Sequence, residues 1–308
     1  MGSYVLRRVL QMIPVFFGTT LLIFVMVYTL PGDPVVALFG EKAADPSVVA
    51  SIKHTYYLDQ PLWKQYLHYM GNLFQGDFGT SFTGRPVSDI MADAFPVTIR
   101  LALLAFVFEM VVGLALGVLS GLKRGSIADT LVLILTLVVI SIPVFVLAYI
   151  AQTVFATNLG WVTPTVQDSY DLSQLILPAI VLGSLSLAYV ARLTRTSIGE
   201  NLRADYIRTA TAKGLPRRTI ISRHLLRNSL IPVITFLGTD LGALMGGAIV
   251  TEGIFNVQGI GNVLYRAINQ KEGPTVVGIV TVLVIIYLVA SLLVDLLYAV
   301  LDPRIRYA

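Results

Sequence analysis

Six apolar runs, each of about twenty residues or more, mark this chain from one end to the other, and no other feature restricts its fold so strongly. They fall at residues 9–30, 97–121, 127–155, 175–193, 230–251 and 276–300. At a rise of 1.5 Å per residue, a helix of about 20 residues crosses roughly 30 Å of hydrocarbon. In lipid, backbone N–H and C=O groups find no water, so a spanning segment satisfies them as a helix or in a closed barrel. Runs this long are wrong for barrel strands. The expectation is an all-α membrane protein with six transmembrane helices. Composition agrees: charged residues make up 13% of the chain, about half the share of a soluble domain.

Arg7 and Arg8 precede the first run, as in a signal peptide. But the run exceeds 20 residues, lacks a small-x-small cleavage site and ends in the turn Pro31-Gly32-Asp33-Pro34. It reads as a retained first helix, residues 1–31. Lys and Arg in the loops set the orientation. With the N-terminus in the cytoplasm, 15 of the 22 Lys and Arg fall inside and 7 outside. Six spans put both termini on one side, so both are expected in the cytoplasm. The net charge of +4 is thus a matter of sidedness, and nucleic acid is not an expected partner; the lipid bilayer is.

Two loops are too long to be mere connectors. Residues 32–96 hold four basic and seven acidic residues and aromatic stretches such as Tyr66-Leu67-His68-Tyr69. They are expected to form a small extracytoplasmic cap domain. Residues 97–308 are the five-helix core, and within them the loop 194–228 is strongly basic.

Inside the spans, Gly113, Gly117 and Gly121 recur every four residues, as do Gly238, Gly242 and Gly246. Each triad makes a smooth stripe along one helix face, which lets a neighbouring backbone approach; both are expected to pack helices. Three carboxylates, Glu109, Asp240 and Asp295, lie in or at the ends of spans, where charge is costly and faces a bundle interior or a wet cavity. Glu109 continues its glycine stripe and is expected to hydrogen-bond across a helix contact. Asp240 projects about 200° from its stripe, toward a pathway or a partner subunit. Asp295 is placed to pair with a nearby Arg. Ser141-Ile142-Pro143 is expected to kink the third helix. Asp240, Glu109, Ser141 and Pro143 are therefore the candidates for the pathway or for helix packing.

The chain has no cysteine, and its three histidines are far apart, which removes thiol chemistry and any obvious metal set. It has no Gly-x4-Gly-Lys-Ser/Thr loop to cradle phosphate and no plausible nucleophile–base pair. No catalytic, cofactor-binding or metal-binding residue is assigned, and the chain is not expected to be an enzyme.

The inner loop reads Asp205-Tyr206-Ile207-Arg208-Thr209-Ala210-Thr211-Ala212-Lys213-Gly214-Leu215-Pro216. The spacing predicts a short helix over Tyr206–Lys213, stopped by a left-handed Gly214, with Pro216 beyond. This segment resembles the cytoplasmic loop of bacterial ATP-binding-cassette importer permeases, whose general form is Glu-Ala-Ala, three residues, then Gly. Here Arg208-Thr209-Ala210 stands for Glu-Ala-Ala and Gly214 for the glycine, while the later Ile-x-Leu-Pro element has no match at His224–Arg227. The variant Asp-Tyr-x-Arg-Thr-Ala-x-Ala-Lys-Gly is similar to the dipeptide and oligopeptide branch. So are Leu30-Pro31-Gly32-Asp33-Pro34, Leu58-Asp59-Gln60-Pro61-Leu62, Gly76-Asp77-Phe78-Gly79-Thr80-Ser81, Ala191-Arg192-Leu193-Thr194-Arg195 and the ending Val294-Asp295-Leu296-Leu297-Tyr298 with Asp302-Pro303-Arg304-Ile305-Arg306. Val257-Gln258 stands where the family often has Trp-Pro.

The resemblance implies a type I importer permease fold in the bacterial cytoplasmic membrane. It implies a second, homologous permease subunit, two cytoplasmic ATPase subunits or domains that carry ATP and Mg, and an extracytoplasmic binding protein or lipoprotein that delivers peptide. It makes 194–228 the coupling loop, with Asp205, Tyr206, Arg208, Thr209, Ala210, Lys213 and Gly214 as the residues that couple to the ATPase. Nickel, glutathione or haem are alternative cargoes of the same machine. A proton-coupled secondary transporter using Asp240 or Glu109 is a rival of another class, and no inverted repeat supports it.

Overall fold

A computed structural model describes residues 2–29, 35–36 and 45–301, with the side chains of 2–4, 247 and 293–301 left undescribed. The motif at residues 30–34, that at 302–306 and the side chain of Asp295 therefore lie outside the described residues. The described chain is helical, with one isolated β-bridge between Thr80 and Pro86. It divides into two compact units: residues 1–96 with 258–308, and Val97–Val257.

In the first unit, α1 (Gly2–Tyr28) is followed by α2 (Pro46–Thr55) and α3 (Leu62–Leu73), and the chain returns later as α11 (Ile260–Asn269) and α12 (Gly273–Leu301). The α2 helix starts as its residues dictate: Asp45 accepts from the Ser47 amide at 2.8 Å and Pro46 fills the first turn. Tyr28 of α1 lies against Gly273, whereas Val9 and Ile13 share a groove with Leu288 and Val289. Helices α1 and α12 thus run antiparallel. Tyr66 and Tyr69 of α3, part of the aromatic stretch that suggested a cap, turn onto this pair. Both rings pack on the buried Phe24, and Tyr69 Oη donates to Thr281 Oγ1 at 2.7 Å.

The second unit holds most of α4 (Val87–Leu122), then α5 (Ile127–Ser141), α6 (Val144–Ala151, extended by a π-helix to Asn158), α7 (Leu172–Asn201), α8 (Asp205–Ala212), α9 (Arg217–Ser229) and α10 (Ile231–Phe255). The glycine stripe of α4 packs as expected. A Cβ at Gly113 would stand 2.9 Å from Val190, one at Gly117 2.5 Å from Thr194, and one at Gly121 2.9 Å from Ile198. The partners repeat every four residues too, so a ridge of α7 lies along the groove of α4. Positions rise together on both helices, so α4 and α7 run parallel. The α10 helix runs the other way. Just before its start, Ser229 Oγ of α9 donates to the Ser197 carbonyl at 3.4 Å, and farther along α10 Asp240 meets Ser186.

Among the described residues, four helices are long and apolar enough to span a bilayer, and two bent pairs bring the number to six if each pair crosses once. The α5–α6 pair is bent by 107° between Ser141 and Val144. Proline at 143 was expected to kink one long helix; instead the helix ends and a new one begins. Ile142 is extended, as a residue before proline prefers to be, and Pro143 caps α6. The parallel course of α4 and α7 still requires an odd number of crossings between them. The bent pair supplies one.

Candidate functional site

The segment that follows α7 forms as its sequence dictates. Helix α8 spans Asp205–Ala212 and ends in a Schellman motif: the Leu215 amide donates to the Ala210 carbonyl at 3.3 Å and the Gly214 amide to Thr211 at 2.9 Å. Gly214 has φ +74, a conformation that costs a side-chain-bearing residue about 1–2 kcal/mol. One face of α8 is buried. Ile207 and Ala210 pack with Ile198 of α7, Ile220 and Leu225 of α9, and Val118 and Leu122 of α4. Full burial of a side chain such as Ile207 contributes roughly 1.5–3 kcal/mol. Tyr206 fixes the approach by donating to Asn201 Oδ1 at 2.5 Å. Asp205, Arg208, Thr209, Lys213 and Gly214 are exposed. Ala210, expected among the contact residues, is instead part of the buried seat. Arg208 and Asp205 approach to 3.6 Å with both side chains largely in solvent, so that pair adds little.

Beneath this seat is a clamp that the sequence reading missed. Asp129, in the first turn of α5, accepts from Arg195 of α7 through Nε at 2.6 Å and Nη2 at 2.9 Å. It also accepts from Ser120 Oγ of α4 and from the Gly125 amide at 2.8 Å. Its side chain is 4% exposed and that of Arg195 is 17% exposed. Bidentate geometry and four donors make this a charge-assisted knot joining α4, α5 and α7. The signal was there: Ser126 followed three residues later by Asp129 is a helix-start pattern, and Arg195 closes a recognised motif. Glu252, near the C-terminal end of α10, was likewise passed over. It is fully buried and accepts from Thr98 Oγ1 at 2.7 Å.

Within the spans, the structure brings Glu109 and Asp240 together. Glu109 is fully buried and lies against Asp240 and Ser186. Ser186 Oγ donates to Asp240 Oδ1 at 3.1 Å, while the other Asp240 oxygen and both Glu109 oxygens are buried without a hydrogen-bond partner among the described residues. On the opposite side of α10, a Cβ at Gly238 or Gly246 would meet nothing within 4 Å among the described residues, so at these positions the second glycine stripe, expected to pack helices, packs against no described residue. Ser141 and Pro143 are exposed at the α5–α6 break, and Ser141 Oγ donates to the Leu137 carbonyl at 2.7 Å. Val257, at one of the departures from the family pattern, is fully buried and closes the end of α10 by donating to the Glu252 carbonyl at 2.9 Å.

A chain of apolar spans with a short exposed helix between two of them can be placed among known proteins. Residues 113–307 match the family described as binding-protein-dependent transport system inner membrane component, and residues 1–102 match its N-terminal companion. The di/tripeptide transport system permease DppB of Pseudomonas aeruginosa is 40% identical, with 100% of this chain and 99% of the relative covered. The dipeptide transport system permease DppB of Alkalihalophilus pseudofirmus is 37% identical, with both chains fully covered. The glutathione transport system permease GsiC of Escherichia coli K12 is also 37% identical with full coverage of both. This chain belongs to the inner-membrane components of binding-protein-dependent transport systems. It is a transport permease, a non-enzymatic membrane subunit.

Proposed function

We propose that this chain forms half of the translocation pathway of an ATP-driven importer for di- and oligopeptides. The observation that carries the reading is α8, an exposed, firmly terminated helix seated on the inner ends of α4 and α7. Such a helix is a rigid knob, and its seat reaches the membrane core through two packed helices. A second homologous permease completes the pathway against the open side of α10. Two cytoplasmic ATPases bind ATP and Mg and grip Asp205, Tyr206, Arg208, Thr209, Lys213 and Gly214. An extracytoplasmic binding protein delivers the peptide. Both termini lie in the cytoplasm, in keeping with the distribution of Lys and Arg.

When ATP closes the ATPase dimer, α8 moves and the spans pass from inward-open to outward-open. Peptide enters between the two permeases, and hydrolysis resets them. ATP and the loaded binding protein act by favouring one of two states. Glutathione, itself a tripeptide, is the second reading. The glutathione permease aligns over 308 residues, the length of this chain, whereas the first dipeptide permease needs 334.

The test is uptake of labelled dipeptides, tripeptides and glutathione in a host lacking this gene and in the same host with it restored. ATP and the proton gradient are collapsed separately. Restored uptake that requires ATP and survives loss of the gradient is expected, and the panel ranks the cargoes. Uptake that follows the gradient alone would overturn the proposal.

A further inference from the structure

Glu109 of α4, Ser186 of α7 and Asp240 of α10 meet inside three apolar helices. Glu109 is fully buried, and Asp240 is 9% exposed. Among the described residues, three of their four carboxylate oxygens are buried with no hydrogen-bond partner, and the fourth accepts from Ser186 Oγ. The next turns are apolar: Phe106, Met110, Val190, Val233 and Leu237 belong to one cluster. The cations on these helices are elsewhere. Arg100 lies over the Tyr170 ring, Arg192 is exposed, Arg195 is held by Asp129, and α10 has no Lys or Arg. Tyr189, the nearest phenol along α7, turns its ring outward beside Phe236.

Two carboxylates sharing one dry site do not both ionise, because each charge repels the other and neither is solvated. Nor do unpartnered acceptors persist there without cost. One proton answers both difficulties. Bound to either carboxyl, it removes one charge and supplies an O–H that donates to the other carboxylate. Among the described residues, no three His, Cys, Asp or Glu side chains gather to hold a metal ion, so the donor set suits a proton.

We propose that Glu109 and Asp240 form an intramembrane site holding a single shared proton, which ties α10 to α4. Moving α10 away from α4 breaks the shared hydrogen bond, lets the two carboxyls ionise separately and releases the proton. This last consequence rests on the importer reading; the site itself does not.

The experiment is infrared difference spectroscopy on the purified, complete transporter in lipid discs, titrated from neutral to alkaline buffer in water and in heavy water. The proposal expects one protonated-carboxyl stretch that shifts in heavy water. Glu109→Gln and Asp240→Asn should each move it, and the double variant should abolish it. Both amides keep the size of the acid, and a matched melting curve confirms the fold. A spectrum without such a band overturns the proposal. So does a band that the double variant leaves in place, or a melting temperature that depends on sodium or potassium through these residues, which would mark an alkali-cation site instead. None of these readouts requires transport, so failure of the cargo assignment would leave them intact.

Discussion

Replacing Gly117 by alanine adds one methyl group at the tightest point of the α4–α7 contact. The new Cβ would stand 2.5 Å from Thr194 Cβ and 2.6 Å from the Ala191 carbonyl oxygen. Carbon atoms rest about 3.5–4.0 Å apart, so about 1 Å is missing. One of the obstructing atoms is helix backbone, which cannot rotate away. The helices must part, loosening Gly113 on Val190 and Gly121 on Ile198 as well. Overpacking of this kind costs about 1–3 kcal/mol, and a backbone clash lies toward the upper end. Alanine recovers roughly 1 kcal/mol of helix propensity, leaving a net loss of about 2 kcal/mol. Gly238→Ala is the internal control: its Cβ meets nothing within 4 Å, so it gains roughly 1 kcal/mol. At about 2–4 °C per kcal/mol, Gly117→Ala should melt roughly 4–8 °C lower than the parent chain and Gly238→Ala a few degrees higher. The assay is thermal unfolding of the purified chain by intrinsic fluorescence. A Gly117→Ala chain as stable as its parent would refute the packing argument. Co-purification of the second permease should fall for Gly238→Ala despite the greater stability of its chain, since that is the face proposed as its seat.

Asp129→Asn leaves Arg195 facing a neutral amide in a site where it is 17% exposed. Breaking a buried pair from one side costs about 3–5 kcal/mol; residual solvent around Arg195 reduces this to about 2–3 kcal/mol, read as a lower melting temperature. Gly214→Asp should abolish uptake while membrane insertion stays normal, because aspartate tolerates the left-handed conformation better than most residues yet adds charge and bulk to the docking surface. Normal uptake by that variant would count against a coupling role. Burial pushes the Tyr69 phenol up from 10.0 to about 12. The stability it contributes is complete below pH 10 and is lost as pH rises through about 12. Tyr69→Phe should remove that alkaline loss, measured as a flatter plot of melting temperature against pH.

What the sequence disclosed is what short-range physics decides. The spans follow from run length, and the short helix after α7 with its left-handed Gly214 follows from residues within one turn of one another. Helical angles place Glu109 on its glycine stripe and Asp240 off its own, but not what they meet: Asp240, expected to face a pathway or a partner subunit, turns onto Ser186 and Glu109 within the chain, and Glu109, expected to hydrogen-bond across a helix contact, has no hydrogen-bond partner among the described residues. The glycine stripes show where that method stops. Gly113–Gly117–Gly121 and Gly238–Gly242–Gly246 are the same pattern, yet at Gly113, Gly117 and Gly121 a ridge of α7 fills the groove and at Gly238 and Gly246 the groove is open. The difference depends on which helix arrives, and no local signal encodes that. Asp129 escaped notice for a similar reason. An aspartate in a first turn reads as a cap, and only the fold brings Arg195 to it across 66 residues. Proline at 143 announced a disturbance, but its size, 107°, depends on the neighbours of both pieces.

The interlocked rows on α4 and α7 also constrain how this chain can change over generations. Gly113 meets Val190, Gly117 meets Thr194 and Gly121 meets Ile198, with no slack at any of the three. A larger residue on one row is admissible only with a smaller one opposite, and neither change is neutral alone. Across related permeases these six positions should therefore vary as three linked couples. A lineage that has swapped the bulky row from α7 to α4 would be the same joint cut from the other side.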